Sequence, residues 1–135
     1  MPADQLHVAG IHHVQITIPP GAEEAACGFY VGILGLIELA KPASFAGRGG
    51  LWLTTGNVEL HIGTEDGVDR HATKAHVSFM VTNLSAWRRR LDGAGCTIFE
   101  SIPMPDYDRL GTRDPFGNRL ELIEHHPKRA SMNQP

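Results

Sequence analysis

Two short stretches of sequence decide the fold. Residues 11–18 read IHHVQITI, and residues 74–81 read KAHVSFMV. His76 lies 63 positions after His13, and at this offset Val77 also aligns with Val14. In each stretch apolar and polar residues alternate, as in a strand that buries one face. The chain therefore contains an internal repeat, and its two halves begin with equivalent strands.

A helix is predicted after each of these strands. Apolar residues recur at helical spacing over residues 22–33 in the first half and 84–94 in the second. Gly35 suits the end of the first helix, and either Asn83 or Ser85 suits the N-cap of the second. Three strand-like segments then close each half, at 37–40, 50–55 and 58–62 in the first and at 97–102, 109–113 and 119–124 in the second.

The closing strands repeat as well. Val58-Glu59-Leu60 mirrors Leu120-Glu121-Leu122, and Asp114 opens a DPFGN turn just before the second of these segments. The pattern predicts an α+β fold of two tandem βαβββ modules, each with a curved open sheet whose concave face can line a pocket. We expect a single domain over 1–135, with module one at about 11–62, a linker at 63–73, module two at about 74–124 and a tail at 125–135.

Composition restricts the class of protein. The chain has 135 residues, a formal charge of -3 and 20% charged residues, which is typical of one ordinary globular domain. Its charge does not favour nucleic acid as a partner, and no apolar run is long enough to span a bilayer. No signal-peptide pattern is visible, and Cys27 and Cys96 form no spaced motif, so we expect a cytoplasmic protein with reduced thiols.

Three motifs resemble one known superfamily. They are His13 in IHHVQI, His76 in AHVSF, and DPFGNRLE ending at Glu121. Together they resemble the vicinal oxygen chelate superfamily, which includes glyoxalases, fosfomycin-modifying enzymes, extradiol dioxygenases and bleomycin-resistance proteins. The resemblance extends over residues 11–124.

The resemblance implies that the two modules form an eight-stranded open cup with a divalent metal site inside it. Carried over residue by residue, its ligands are His13, His76 and Glu121. The fourth position falls on Glu59, with His61 as the alternative because it lies on the same face of the strand. The metal is Zn, Ni, Co, Mn or Fe(II), and the sequence does not choose among them.

The expected chemistry follows from an open-sided metal. Imidazole and carboxylate ligands that leave positions free allow two neighbouring substrate oxygens to bind and be polarised. The sequence thus predicts a glyoxalase-like lyase or isomerase that acts on a small oxygenated metabolite by proton transfer, with Glu121 or Glu59 as the general base. Arg109, Tyr107 and Arg48 are the candidate substrate-binding residues.

Two other hypotheses about the function remain open. A ring-cleaving dioxygenase of the extradiol type needs only three protein ligands, so a non-ligating Glu59 favours it. A non-enzymatic protein that sequesters an antibiotic needs no metal, and the complete His-His-Glu set argues against it. In each case we expect a homodimer, whose cup is built either within one chain or across two.

Overall fold

Each half of the chain folds into one strand, one helix and three further strands, as the repeat predicts. The computed structural model describes residues 5–127. The first module contains β1 (His13–Ile18), α1 (Glu23–Cys27), β2 (Ile37–Leu39), β3 (Leu51–Thr54) and β4 (Glu59–Thr64). The second contains β5 (His76–Met80), α2 (Leu84–Gly93), β6 (Ile98–Glu100), β7 (Tyr107–Arg113) and β8 (Arg119–His125). The α+β class and the two tandem modules are confirmed.

The modules form two four-stranded sheets of identical topology. The strand orders are β1-β4-β3-β2 and β5-β8-β7-β6. In both sheets the opening strand runs parallel to the closing strand, and the remaining pairs are antiparallel. The opening strands β1 and β5 therefore lie at sheet edges, and such edges can pair with another chain.

Alternation along the strands gives each sheet an apolar face and a polar face. The apolar faces pack with the helices into the core, which includes Ile18, Leu53, Leu60, Ile62, Leu110, Leu120 and Leu122. The opposite faces carry the histidines and glutamates that the repeat singles out. We call these opposite faces the polar faces of the two sheets.

The two helices differ in regularity. The first is α-helical only over α1 and continues as a π-helical segment, Gly28–Ile33, in which two adjacent aromatic residues are buried. Glycine has a low helix propensity, and this segment contains two glycines, so a departure from regular α-helix there is understandable. The second helix, α2, begins after Asn83, one of the two predicted N-cap residues, and the Asn83 side chain accepts a hydrogen bond from the backbone N–H of Ala86.

The two modules share one core and are linked by a buried polar contact. Leu120 of β8 packs in the cluster built mainly by the first module. The Tyr30 hydroxyl donates to Asp114 Oδ2 at 2.6 Å, and Asn118 Nδ2 donates to the carbonyl of Thr17 at 2.9 Å. Burial, with Asp114 beside it, raises the pKa of Tyr30, so the phenol keeps its proton. The predicted DPFGN turn thus also connects the modules.

Removing the Tyr30 hydroxyl should destabilise the protein. Tyr30→Phe keeps the buried ring and leaves the Asp114 carboxylate without one of its donors. A buried hydrogen bond to a charged group is worth about 1.5–3 kcal/mol, so we expect urea unfolding to show a loss of roughly 2 kcal/mol. An unchanged midpoint would show that the contact contributes nothing to joining the modules.

No helix within residues 5–127 is long and apolar enough to cross a membrane. Most of the predicted tail lies outside the described residues, although β8 extends one residue into it, to His125.

Candidate functional site

The first cluster of candidate residues lies on the polar face of the first sheet. It consists of His13, Glu59 and His61. The register places His13 on β1 directly opposite Glu59 on β4. His61 Nε2 is 2.9 Å from Glu59 Oε1, and the imidazole rings of His61 and His13 stack at 4.0 Å. His61 therefore contacts both of the residues that the resemblance assigns as ligands in this module.

The hydrogen bond between His61 and Glu59 fixes the proton on one nitrogen. Because it accepts this hydrogen bond from His61, Glu59 has its pKa lowered, so its carboxylate is ionised at neutral pH. An ionised carboxylate can only accept, so Nε2 of His61 must donate. That nitrogen is consequently not free to bind a metal in this arrangement.

An aromatic row supports the first cluster from the side. Trp52 on β3 stacks on His61 at 4.1 Å with the ring planes 3° apart, and the Phe45 ring lies 5.1 Å from the indole at a tilt of 53°. The guanidinium of Arg48 lies 5.7 Å from the Phe45 ring centroid. Sequence reasoning did not single out Trp52. The sequence feature that could have identified Trp52 is the alternation along β3, which places it on the same face as His61 in the neighbouring strand.

The second cluster lies on the polar face of the second sheet. It consists of His76, Ser78, Arg109 and Glu121. His76 Nε2 is 3.5 Å from Glu121 Oε2, Ser78 Oγ donates to Glu121 Oε1 at 3.2 Å, and Arg109 Nη1 donates to Oε2 at 3.2 Å. Glu121 is only 5% exposed, and these partners satisfy a carboxylate that would otherwise be costly to bury.

His76 has the arrangement expected of a metal-binding imidazole. Its Nδ1 lies 2.9 Å from the carbonyl of Lys74, and a carbonyl can only accept, so Nδ1 carries the hydrogen. The other ring nitrogen, Nε2, faces Glu121 Oε2 at 3.5 Å and is the one that a metal bound beside this carboxylate would meet. Metal-bound histidines in proteins almost always donate their other ring N–H in this way, to a backbone carbonyl or a carboxylate.

The chain keeps the two clusters on separate sheets. Within residues 5–127, the four predicted ligands His13, Glu59, His76 and Glu121 do not converge closely enough to surround one ion. Each sheet instead pairs one histidine with one glutamate. Two imidazoles and two carboxylates together form a donor set that suits first-row divalent metals, and each cluster supplies half of it.

A different group of three side chains lies close enough together to hold a metal ion. Within the described part of the chain it is the one such group, and it consists of Asp108, Glu124 and His126. His126 Nε2 lies 3.3 Å from Asp108 and 3.2 Å from Glu124. Glu124 also accepts hydrogen bonds from the backbone N–H groups of Asn83 and Leu84 at the start of α2. This group lies on the helix side of the sheet. There Glu124 has a structural role, since it caps the start of α2.

The Glu124 cap should make stability depend on pH. Its hydrogen bonds to the N–H groups of Leu84 and Asn83 lower the pKa of Glu124. A depressed folded-state pKa gives stability that is present above the unfolded pKa of about 4.3 and is lost as pH falls through the folded value. Glu124→Gln should therefore lower Tm at pH 7, and the difference should shrink toward zero in a pH series below 4.

The three predicted substrate-binding residues occupy different places. Arg109 is held by Glu121 and by the carbonyl of Ile102, to which Nε and Nη2 donate at 3.0 and 2.6 Å. Tyr107 stacks on His125 at the far end of the same sheet. Arg48 lies in the exposed loop beside the first cluster. Of these three residues, Arg109 is therefore the one that contacts a predicted metal ligand, Glu121.

Comparison with known proteins agrees with this fold. The model of the glyoxalase/bleomycin resistance protein/dioxygenase superfamily matches residues 10–122. A glyoxalase family protein from Bacillus anthracis shares 37% identity, covers 90% of this chain and 98% of its own, and superposes with a TM-score of 0.83. Two tandem βαβββ modules, each with a four-stranded mixed sheet, form the vicinal oxygen chelate fold. The chain belongs to the glyoxalase/bleomycin resistance protein/dioxygenase superfamily.

More distantly related structures have the same fold but differ from one another in function. The fosfomycin resistance protein FosX from Listeria monocytogenes is 12% identical, covers 92% of this chain and 99% of its own, and has a TM-score of 0.72. TnmS3, an antibiotic binding protein from Streptomyces, is 21% identical, with coverages of 88% and 99% and a TM-score of 0.66. A search of curated proteins found no match.

Proposed function

We propose that this protein is a metal-dependent enzyme of the glyoxalase-like type that acts on a small oxygenated metabolite by proton transfer. His13, Glu59, His76 and Glu121 are its metal ligands. The observation that carries the proposal is the geometry of His76, which donates through Nδ1 to a backbone carbonyl and turns Nε2 toward Glu121. This is the orientation in which metal-bound histidines are usually held by their second nitrogen.

The complete site requires two copies of the chain. Each copy offers one His–Glu pair on each sheet, and the pairs of one chain lie apart. Opening strands β1 and β5 are sheet edges; Ile11, just before β1, and Met80, the last residue of β5, are 68% and 73% exposed. A homodimer that covers these edges brings the first cluster of one copy to the second cluster of the other.

The two glutamates have different roles in this proposal. A bound divalent metal would polarise two neighbouring substrate oxygens and stabilise negative charge that develops on them. Glu121 is buried and held by Arg109, Ser78 and His76, so it serves as a fixed ligand. Glu59 is the more accessible carboxylate, with 30% of its side chain exposed, and it is the one that takes up and returns the substrate proton.

A second candidate function is a ring-cleaving dioxygenase. The hydrogen bond between His61 and Glu59 favours it, because a carboxylate that stays with His61 leaves only three protein ligands. More open metal positions suit chemistry with oxygen. The experiment on Glu59 and His61 at the end of the Discussion separates this candidate from the first.

Metal binding is the test of the proposal. Ni, Co, Mn, Zn and Fe(II) are titrated by calorimetry into protein stripped of metal, and we expect at least one to bind far more tightly than about 1 mM, which corresponds to roughly 4 kcal/mol. His71→Ala is the matched control, since His71 is an exposed histidine outside both clusters. Binding no tighter than millimolar for every metal would refute the proposal.

A further inference from the structure

Two arginines face each other across the second sheet. Arg113 on β7 is the direct register partner of Arg119 on β8, so both side chains lie on the same face, which is also the face of Glu121. Like charges directly opposite each other in an antiparallel pair are destabilising. A fold that keeps such a pair needs a compensating contact.

Phe99 supplies part of that compensation. Its ring centroid is 5.8 Å from the guanidinium carbon of Arg113 and 5.8 Å from that of Arg119. The ring lies over Gly111, where an added Cβ would clash with the Cε2 atom of Phe99. Gly111 in turn pairs with Glu121. Because Gly111 has no side chain, the Phe99 ring can extend over β7. There it lies next to the Arg113–Arg119 pair.

Neither arginine has an acidic partner among residues 5–127. The ion pairs of this region involve Arg88 and Arg109 but not Arg113 or Arg119. Arg113 donates one hydrogen bond, to the carbonyl of Gly117 at 2.8 Å. A guanidinium has five N–H donors in a planar fork that matches carboxylate and phosphate oxygens. Most of the donors of this pair are therefore open to an anion.

Arg119 connects the arginine pair to the second cluster, whereas Arg113 lines a separate cavity together with Phe99. Arg119 is the register partner of His76 on β5. With His76 and Ser78 it lines a cavity of about 850 Å³ that follows the open edges of β1 and β5. Arg109 on the same face is committed to Glu121, so the positive charge that remains for a ligand is that of Arg113 and Arg119.

We propose that Arg113 and Arg119, supported by Phe99, bind the oxyanion group of an anionic substrate, a carboxylate or a phosphate, beside the His76–Glu121 cluster. The identification of the bound anion as the substrate rests on the proposed function. The anion site itself does not, since it needs no metal. It also accounts for a positive pair without an acidic partner among residues 5–127, in a chain whose formal charge is -3.

The test uses full-length protein stripped of metal, at low ionic strength. Inorganic phosphate and acetate are titrated separately by calorimetry, with sodium chloride as the ionic-strength control. We expect saturable binding of at least one probe, and the tighter probe identifies the oxyanion. Arg119→Gln and Arg113→Gln should each weaken that binding by about tenfold or more, because each removes half of a charged clamp.

The matched control is Arg90→Gln, which removes an arginine stacked on the ring of Trp87 in α2, outside the polar face. It should bind the probe within about twofold of the wild type. Thermal unfolding provides a second readout, since relieving the like-charged pair should leave the Tm of Arg119→Gln equal to or above that of the wild type.

Several results would overturn the inference. Absence of saturable binding to both probes would do so, as would equal losses in all three variants, which indicate only a general effect of charge. If Arg119→Gln fails to fold while Arg113→Gln folds and binds the probe like the wild type, the pair has a structural role. Because the titration needs no metal, its failure leaves the metal proposal intact, and the reverse also holds.

Discussion

Two variants that each lack metal binding, His13→Ala and His76→Ala, are expected to recover it when they are combined in one heterodimer. In the proposed dimer each site takes His13 and Glu59 from one copy and His76 and Glu121 from the other. A heterodimer of the two variants therefore has one site without either histidine and one site with all four ligands. Two-fold symmetry makes this outcome specific to a shared site.

Each homodimeric variant should bind metal very weakly. Loss of a direct ligand should exceed the roughly 10- to 100-fold loss that removal of a supporting partner causes. Co-expression with two different affinity tags allows the heterodimer to be isolated, and calorimetry should then give about one tightly bound ion per dimer.

The control is a heterodimer in which both substitutions lie in the same copy and the other copy is wild type. It has one lost histidine in each site, so it should bind no ion tightly. Sedimentation at micromolar concentration should show the dimer in every case. If the isolated mixed heterodimer binds nothing, the site is not shared between copies, and a strictly monomeric wild type would lead to the same conclusion.

The internal repeat made much of this fold predictable from sequence. Alternation around His13 and His76 gave the opening strands, and the Glu59 and Glu121 segments gave the closing ones, because a strand that buries one face must alternate. The N-cap of α2 was predictable to Asn83 or Ser85, because both have short side chains that can accept from the first turn of a helix. These signals are local and need no knowledge of tertiary contacts.

The contacts within the clusters were not predictable in the same way. Nothing in the sequence states that Trp52 stacks on His61, or that Arg109 reaches Glu121 and the carbonyl of Ile102, since these contacts join strands through their register. The Arg113–Arg119 pair has the same origin, because residues six positions apart become opposite only when β7 and β8 form a hairpin. Side-chain pairs across a sheet depend on the turn length between strands, which sequence reasoning fixes only to within a residue or two.

The fourth metal ligand is expected to be Glu59, with His61 as the residue that positions it. Glu59→Gln keeps the size of the side chain and removes its charge, so metal affinity should fall by more than about tenfold. His61 makes two kinds of contact, a hydrogen bond to Glu59 and ring stacking, and each can be removed by a separate substitution. His61→Phe keeps a ring between Trp52 and His13 and loses the hydrogen bond to Glu59, whereas His61→Gln keeps an N–H donor for Glu59 and loses the ring.

The fluorescence of Trp52 reports on this site directly. Its indole stacks on His61, which stacks on His13, so a paramagnetic ion such as Co(II) or Ni(II) bound at this cluster should quench it. Trp87 is the other tryptophan, and Trp87→Phe in α2 removes its background signal. Titration in that background gives an affinity for each variant without any knowledge of the substrate.

The variants distinguish three arrangements of the site. If Glu59 is the ligand and His61 its support, Glu59→Gln should have the largest effect, His61→Phe should weaken binding by about tenfold, and His61→Gln should weaken it less. If Glu59→Gln binds normally while both His61 variants lose the metal, His61 itself is the fourth ligand and the assignment to Glu59 is wrong. If none of the three changes the affinity, the metal has only His13, His76 and Glu121 as protein ligands. The additional open position would then favour oxygen chemistry, and the dioxygenase candidate would replace the glyoxalase-like one.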